Sequence, residues 1–485
     1  MTLSLLRIFS HTMGLVGLAL LFPLGAAFYY GEKGTPFAFA LPLVLSVLIA
    51  WWCSRVKRAH EEQLGTRHAF VAVGGVWLTV CLFGAVPLWL SGAFPSWADA
   101  VFESVSGFTT TGATVKADVE ALPVSVNVWR CTMHWLGGMG VIALIVAIVP
   151  LMGTGGSRLI KAESSGSEKG KLTARTTNTA KVLWFLYCGI TLVLTLLLRV
   201  NGLGWVDALC HAFSIVATGG FSTRNASIAA FGNSAVEWIC TVFMLLCSVN
   251  FALYYHVLTG RVSEVFRDSE LRAFLLIVVC AVFGIAWSVM PVFPTSGEVI
   301  RHAAFQTASV LSTTGFMTSD FAVWPVPAQI LLLALLLIGG CSGSTSGGIK
   351  VVRWSVMMKQ AVNEFRRLLH PHGVYTVWLN GQPGREVLVP GVAAFVCAYF
   401  LLVLLTALLG ACAGLTPFEA LSGGLSMMGN VGPAFGQIGP AGNYGALPDW
   451  LKGWYSFIML TGRLEIYTML ILVGNLFFWR RRTAA

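Results

Sequence analysis

The sequence predicts an all-α membrane protein with four copies of one helix–re-entrant loop–helix unit, and three observations support this fold class. Apolar residues make up 56% of the 485 positions and charged residues only 11%, whereas a soluble domain carries about 25% charged residues. Apolar runs of about 20 residues, the length that crosses the hydrocarbon core of a bilayer, recur along the chain. A short polar turn that ends on glycine follows an apolar run four times.

Ten apolar runs are predicted to be transmembrane helices. Their approximate ranges are 9–30, 36–54, 69–91, 126–149, 181–200, 234–259, 273–293, 327–350, 386–413 and 450–479. The first run is too long for a signal peptide and no clear small-residue cleavage site follows it, so we interpret it as a retained helix. Two N-terminal transmembrane helices therefore occupy residues 1–67. The other eight runs flank the four turns and define four repeats, which span residues 68–175, 176–268, 269–372 and 373–485.

The four turns agree in form and in the residues that precede them. They read Thr110-Thr111-Gly112, Ala217-Thr218-Gly219, Thr313-Thr314-Gly315 and Asn430-Val431-Gly432. An acid lies 12 or 13 positions before three of the glycines, and a serine lies six positions before three of them; these residues are Asp99, Asp207 and Glu419, and Ser106, Ser309 and Ser426. The pattern departs at Ser214, five positions before Gly219, and at Glu298, 17 positions before Gly315. A near-constant period of this kind predicts a pseudo-fourfold arrangement around one axis.

Four such loops around one axis predict a pore for a small cation. Non-helical backbone within a bilayer must be buried in protein or line a water-filled cavity. Glycine adopts backbone angles that side chains forbid, and rings of backbone carbonyls replace the hydration shell of an ion in a selectivity filter. We therefore predict that the residues of the four turns form a cation selectivity filter. The alternative, ordinary Thr-Gly turns in extracellular loops, accounts for one such turn but poorly for four in a common phase.

The net charge of +10 is distributed in a way that predicts the topology. Arginine and lysine cluster after the second, fourth, sixth, eighth and tenth apolar runs, which is the positive-inside pattern of a multi-pass membrane protein. Both termini are then cytoplasmic, and all four turns enter from the outer face. Nucleic-acid binding is the alternative for a basic chain, and it is not predicted because the charge is spread over five connections beside apolar runs.

Five motifs resemble those of the Trk/Ktr/HKT superfamily of potassium transporters, and in particular the membrane subunit of the bacterial Trk systems. They lie at residues 102–114, 134–140, 217–223, 312–316 and 340–350. The resemblance implies K⁺ as the transported ion, no organic cofactor in this chain, and a location in the bacterial inner membrane. It also implies a homodimer with one pore per subunit and a cytoplasmic regulatory ring that binds a nucleotide of the NAD, ATP or ADP type. Some sodium-selective members carry serine in place of the first-loop glycine, so the four glycines of this chain favour potassium.

Two further elements are predicted to form a gate. Residues 339–348 are half glycine, which is incompatible with a regular helix, so the eighth run should break into a mobile loop that faces a cavity. Arg463 lies within an apolar run, and a charge at such depth costs at least about 2.5–3.5 kcal/mol and usually marks a pathway. The alternative to a role in the pathway is that Arg463 forms a structural ion pair with Glu465, although residues i and i+2 face different sides of a helix. The resemblance assigns the gate to Gly339, Gly340, Ser342, Gly343, Ser344, Thr345, Ser346, Gly347, Gly348 and Arg463.

Enzyme activity is not predicted, although one motif formally allows it. Residues 340–343 match the GxSG motif of rhomboid-type intramembrane serine proteases, but such an enzyme needs a base within hydrogen-bond reach of the serine. The next histidines, His370 and His372, lie in a basic connection. The chain also lacks the Gly-Lys-Ser/Thr ending of a phosphate-binding loop. A K⁺/H⁺ or K⁺/Na⁺ symporter of the same fold stays open, although the small number of intramembrane carboxylates favours a channel-like pore.

The basic connections 154–180, 260–272 and 351–385 carry more charge and polar surface than two-helix turns need. Long connections are often functional. The alternative is that the basic residues of these connections only determine the membrane topology. We predict that these three segments dock the regulatory ring. Lys350 and Arg353 would then connect the third segment directly to the glycine-rich stretch.

Overall fold

The computed structural model describes residues 3–55, 66–148, 176–380, 382–383 and 388–478. Their regular structure is helical except for one short antiparallel hairpin, in which Trp378–Leu379 pairs with Gln382–Pro383. The predicted all-α membrane fold is confirmed. The basic residues of the connection 154–180 lie outside the described residues, so the docking prediction for that segment stays a prediction.

Each repeat contains an outer helix, a pore helix and an inner helix. The outer helices are Thr66–Leu90, Thr176–Val200, Ser269–Val289 and Leu388–Cys412. The pore helices are Trp97–Phe108, Trp205–Val216, Ser296–Leu311 and Pro417–Gly429. The inner helices are Val124–Ile148, Ser234–Cys247, Val326–Leu336 and Asp449–Arg463, and the last three resume after a break as Phe251–Leu258, Val351–Leu369 and Ile466–Phe478.

The remaining elements are smaller or precede the repeats. Three N-terminal helices pack beside repeat 1; they are Leu3–Ala19, Leu21–Tyr29 and Thr35–Arg55. A short helix, Val262–Arg267, joins repeats 2 and 3. Single 3₁₀ turns follow three of the pore helices, at Ser227–Phe231, Phe321–Val323 and Gly436–Ile438.

The outer helices carry the surface that faces lipid. Within the described residues, six helices are long and apolar enough to cross a membrane, and two bent pairs bring the number to eight. In repeat 3, Leu276, Phe283 and Trp287 of the outer helix are 64%, 72% and 77% exposed. Large exposed apolar surfaces of this kind are stable against lipid rather than water. The ten predicted runs all overlap with helices, but three of the inner spans are interrupted.

Two predicted spans, 234–259 and 450–479, are not continuous helices, and this part of the prediction is wrong. The first bends by 93° and the second by 120°. At the first break, the side chain of Asn250 accepts a hydrogen bond from the Ala252 N–H and so begins a new helix. At the second break, Glu465 adopts a left-handed conformation with φ of 62°. Neither break contains glycine or proline, so the apolar pattern gives no sign of them.

The glycine-rich stretch does break the eighth run, as predicted. The helix ends at Leu336 and resumes at Val351, and we call the segment between them, residues 337–350, the glycine-rich loop. Its ends are held together by a hydrogen bond of 2.8 Å from the Gly339 N–H to the Ile349 carbonyl. The exact boundaries of the four repeats stay a prediction.

All four pore helices carry an acid in the first turn, where the helix dipole stabilises negative charge. The four residues are Asp99, Asp207, Glu298 and Glu419. The pore helix of repeat 3 has 16 residues, whereas the others have 12 or 13. One additional turn at its beginning therefore accounts for the unusual distance between Glu298 and Gly315.

Candidate ion pathway

Each pore helix ends in the same hydrogen-bond pattern. A backbone N–H of the turn donates to the carbonyl of a serine in the last turns of the helix, at 2.7–3.0 Å. The four pairs are Thr111 to Ser106, Gly219 to Ser214, Thr314 to Ser309 and Val431 to Ser426. This is the bond that closes a helix whose next residue is left-handed. Because all four pore helices end in the same hydrogen-bond pattern, the four turns share one local structure.

The backbone angles give the register of the four turns. A non-glycine residue with φ between 55° and 59° is followed two positions later by a glycine with φ between 78° and 97°. The pairs are Thr110 and Gly112, Thr218 and Gly220, Thr313 and Gly315, and Asn430 and Gly432. The prediction that Gly219 is equivalent to the other three glycines is thus wrong by one residue. With Gly220 in that place, Ser214 and Asp207 fall at the same distances, six and 13 positions, as their counterparts in repeat 1.

The first residue of each pair is strained. Threonine is β-branched, and β-branched residues rarely adopt positive φ, yet Thr110, Thr218 and Thr313 all do so. All three side chains are buried. Strain of this kind persists only where the surrounding structure imposes it, and it is concentrated at functional sites.

The four loops close a ring around one axis. A Cβ atom placed on the left-handed glycine of one loop would lie 2.0–2.4 Å from a carbonyl oxygen of the next loop. The contacts run from Gly112 to Gly219, from Gly220 to Thr314, from Gly315 to Val431 and from Gly432 to Thr111. The last contact is with repeat 1, so the ring is closed. At each glycine, the neighbouring loop occupies the space that a side chain would fill. The absence of a side chain at these four positions is what allows the carbonyls to approach one another.

A buried ion pair supports the first loop from behind, and sequence analysis did not identify it. The Arg130 Nε lies 2.7 Å from Glu103 Oε1, and the two side chains are 1% and 0% exposed. The Glu103 carboxylate also accepts hydrogen bonds from Thr114 Oγ1 and from the Val115 N–H. Arg130 donates to the Ser222 carbonyl at 3.3 Å. The pair therefore connects the pore helix of repeat 1 with the segments that follow two adjacent filter loops.

His134 makes a second connection between repeats 1 and 2. The Phe221 N–H donates to its Nε2 at 3.1 Å, so that nitrogen is unprotonated. Its Nδ1 lies 2.7 Å from the Gly107 carbonyl and must carry the proton. The neutral ring also stacks on Phe221, with 4.2 Å between centroids. Because a Cβ on Gly219 would lie 2.4 Å from this ring, His134 fixes the position of the second loop.

The glycine-rich loop lies directly against the ring. The Gly347 N–H donates to Thr313 Oγ1 at 2.8 Å, and Thr345 Oγ1 lies 3.4 Å from Thr218 Oγ1. A Cβ on Gly347 would lie 2.4 Å from the Gly429 carbonyl oxygen. The loop therefore contacts the beginning of the turns in repeats 2, 3 and 4.

The bent inner helix of repeat 2 holds the other side of this loop. The Cys341 N–H donates to the Ser248 carbonyl at 2.8 Å, and the Phe251 N–H donates to the Gly343 carbonyl at 3.1 Å. These bonds use backbone groups that the helix break frees. The helix break at Asn250, which the sequence did not predict, is therefore the docking site of the predicted glycine-rich loop.

Arg463 joins the glycine-rich loop to repeat 1. Its guanidinium donates to the Thr345 carbonyl at 2.7 Å, and to the carbonyls of Gly137 and Gly138 at 2.7 and 3.1 Å. Glu465, the alternative partner considered from the sequence, forms an ion pair of 2.7 Å with Arg353. The structure thus brings the predicted gate residues together beside the ring.

These features define an integral membrane protein in which four re-entrant loops surround one axis and an intramembrane loop lies against them. The family model described as "TrkH: Cation transport protein" matches residues 43–477. The chain belongs to the TrkH cation transport protein family.

Named relatives and one solved structure agree with this assignment. The Trk system potassium uptake protein TrkH of Halomonas elongata is 39% identical over 431 residues, which cover 88% of each chain. The protein of the same name from Escherichia coli is 36% identical and covers 98% of this chain and 97% of its own. The crystal structure of the potassium transporter TrkH from Vibrio parahaemolyticus matches with a TM-score of 0.87 and 33% identity over 99% of both chains.

Proposed function

We propose that this protein takes up K⁺ through a gated, channel-like pore driven by the membrane potential. The closed ring of four glycines and four neighbouring carbonyls is the observation that carries this proposal. Backbone carbonyls in a ring replace the hydration shell of a potassium ion, and the relatives named above are potassium uptake proteins. Rubidium, which resembles potassium in size, is expected to pass as well.

The proposed filter consists of the predicted residues together with Gly220. Its members are Thr110, Thr111, Gly112, Ala217, Thr218, Gly219, Gly220, Thr313, Thr314, Gly315, Asn430, Val431 and Gly432. The glycine-rich loop acts as the steric gate, because it is packed against three of the four turns. Arg463 adds an electrostatic barrier and fixes the loop through Thr345.

The contacts of the buried acid Glu103 support a channel more than a proton symporter. Glu103, an acid close to the filter, is held by Arg130 and by two further donors. These partners give Glu103 a structural role beside the first loop. The membrane potential alone supplies about 2.3 kcal/mol per charge per 100 mV. The GxSG serine, Ser342, donates its hydroxyl to Glu270 at 3.2 Å, a contact that does not activate a protease nucleophile in the way a histidine does.

Reconstitution into liposomes tests this proposal. Under an imposed voltage, we expect electrogenic K⁺ and Rb⁺ flux that exceeds Na⁺ flux and stays the same when the pH gradient is collapsed. Empty liposomes provide the control. Flux that requires a proton or sodium gradient would contradict the channel and support the symporter, and absence of cation flux would contradict the function altogether.

We further propose that the protein is an inner-membrane homodimer with cytoplasmic termini and that a nucleotide-binding ring docks on its basic connections. The helix Val351–Leu369 supports this docking proposal. Its apolar residues Met358, Val362, Phe365 and Leu369 recur every three or four positions and are 47–64% exposed, which is the pattern of a helix face that binds a partner. The basic residues Arg366 and Arg367 lie in the last turn of this helix.

Reversing the charge at Arg366 and Arg367 is expected to weaken binding of the regulatory ring and to abolish its nucleotide response. The reason is that a basic docking surface requires acidic complementarity from its partner. Co-purification and flux measurement with added nucleotide provide the readout, and Arg199→Glu, at the far end of an outer helix, is the control. Intact complex formation and an intact response in the double variant would show that this docking site is wrong.

A further inference from the structure

One carboxylate holds both ends of the segment that lies against the filter. Glu270 Oε1 accepts hydrogen bonds from the Ser342 N–H at 2.8 Å, from Ser342 Oγ at 3.2 Å and from the Val352 N–H at 3.0 Å. Ser342 precedes Thr345 and Gly347, the residues that contact the turns, and Val352 follows them. Removal of the carboxylate would therefore weaken the attachment of the loop on both sides at once.

The position of Glu270 is set by the hairpin in the connection between repeats 3 and 4. Asn380 Oδ1 accepts hydrogen bonds from the Ser269 N–H at 2.8 Å and from its Oγ at 2.7 Å. Asn380 Nδ2 donates to Asp268 Oδ2 at 2.9 Å, and Asp268 caps the same helix through the Leu271 N–H at 2.7 Å. Asn380 thus fixes the two residues that immediately precede Glu270.

We propose that Glu270 is a positioning residue that clamps the glycine-rich loop against the filter, and that the hairpin at Asn380 holds this clamp in place. The proposal rests on the function of the loop as a gate. Glu270 and Asn380 belong to two different connections, 260–272 and 351–385, which converge at this contact. A partner that separated these two connections would release the glycine-rich loop without contacting the loop itself.

The clamp predicts a specific change in the gating of single pores. In reconstituted full-length protein without any partner, Glu270→Ala should raise the open probability at least roughly tenfold, because it removes three hydrogen bonds to a charged group and the loss of one such bond alone corresponds to about this factor. The conductance of an open pore and the K⁺/Na⁺ ratio should stay at wild-type values, because the filter contacts are unchanged. Asn380→Ala should raise the open probability by a smaller factor. Glu264→Ala, which removes an exposed acid of the same connection that contacts His256, is the matched control.

Glu270→Gln keeps the protein testable if the alanine variant does not fold. Its amide oxygen still accepts hydrogen bonds but carries no charge, so we expect a rise in open probability smaller than that of Glu270→Ala and larger than that of the control. Wild-type open probability in the folded glutamine variant and in any folded alanine variant would overturn the clamp. A wild-type protein that conducts no potassium would instead contradict the proposed function, so the two failures are distinguishable.

Discussion

Gly112→Ser is expected to reduce the preference for K⁺ over Na⁺ by about tenfold or more, which corresponds to ~1.4 kcal/mol of selectivity. A Cβ at this position would lie 2.1 Å from the Gly219 carbonyl oxygen, so the neighbouring loop must move. The new residue must also hold φ of 78°, which L-residues rarely adopt. The permeability ratio measured from reversal potentials in proteoliposomes provides the test.

The same substitution at Gly220, Gly315 and Gly432 should have a similar effect, because each has an equivalent contact of 2.0–2.4 Å. Gly92→Ser is the matched control, since Gly92 has φ of 72° but no atom within 4 Å of an added Cβ. The Gly92→Ser variant therefore has the strained left-handed backbone but no steric contact with a neighbouring loop. Unchanged permeability ratios in all four folded filter variants would disprove the shared ring.

Arg463→Ala is expected to raise the basal potassium flux by tenfold or more while leaving the K⁺/Na⁺ ratio unchanged. The substitution removes three hydrogen bonds from a charged donor to backbone carbonyls, and each such bond contributes about 1.5–3 kcal/mol. It also removes a positive charge from the proposed pathway of a cation. The filter loops keep their own hydrogen bonds, so selectivity should be retained.

Two further variants separate the charge of Arg463 from its geometry. Arg463→Lys keeps the charge but loses the planar guanidinium and its fixed set of hydrogen-bond donors. Its basal flux should therefore lie between that of the wild type and that of Arg463→Ala. Arg463→Gln loses the charge and should resemble alanine. Reduced flux in folded Arg463→Ala, with Arg199→Ala unaffected as a control, would indicate a structural role instead of a blocking one.

Much of the fold follows from local patterns in the sequence. The apolar runs locate the helices, because only a helix satisfies its own backbone within lipid. The acids in the first turns of the pore helices and the glycine-rich break of the eighth run also have local causes, helix polarity and backbone freedom. The break of the eighth run occurs in the structure where the sequence predicts it.

Other features depend on contacts between distant residues and are not visible in the sequence. Gly219 and Gly220 are adjacent glycines, and only their backbone angles show which one is left-handed. The bend at Asn250 has no glycine or proline, and it is stabilised by bonds to a loop nearly 100 positions away, such as Cys341 to Ser248. The Glu103–Arg130 pair joins residues 27 positions apart. A carboxylate and a guanidinium in apolar runs indicate burial, but not which partner each one has.

The most direct test of the proposed selectivity filter is to locate the bound ion. Diffraction from crystals grown with Rb⁺ or Tl⁺ in place of K⁺ reveals bound cations through their anomalous signal. We expect a cation on the axis of the four loops, coordinated by backbone carbonyls that include those of Thr111, Gly219, Thr314 and Val431. Crystals saturated with either ion that show no cation within this ring, or show it only at another site, would contradict the assignment of the four loops as the selectivity filter.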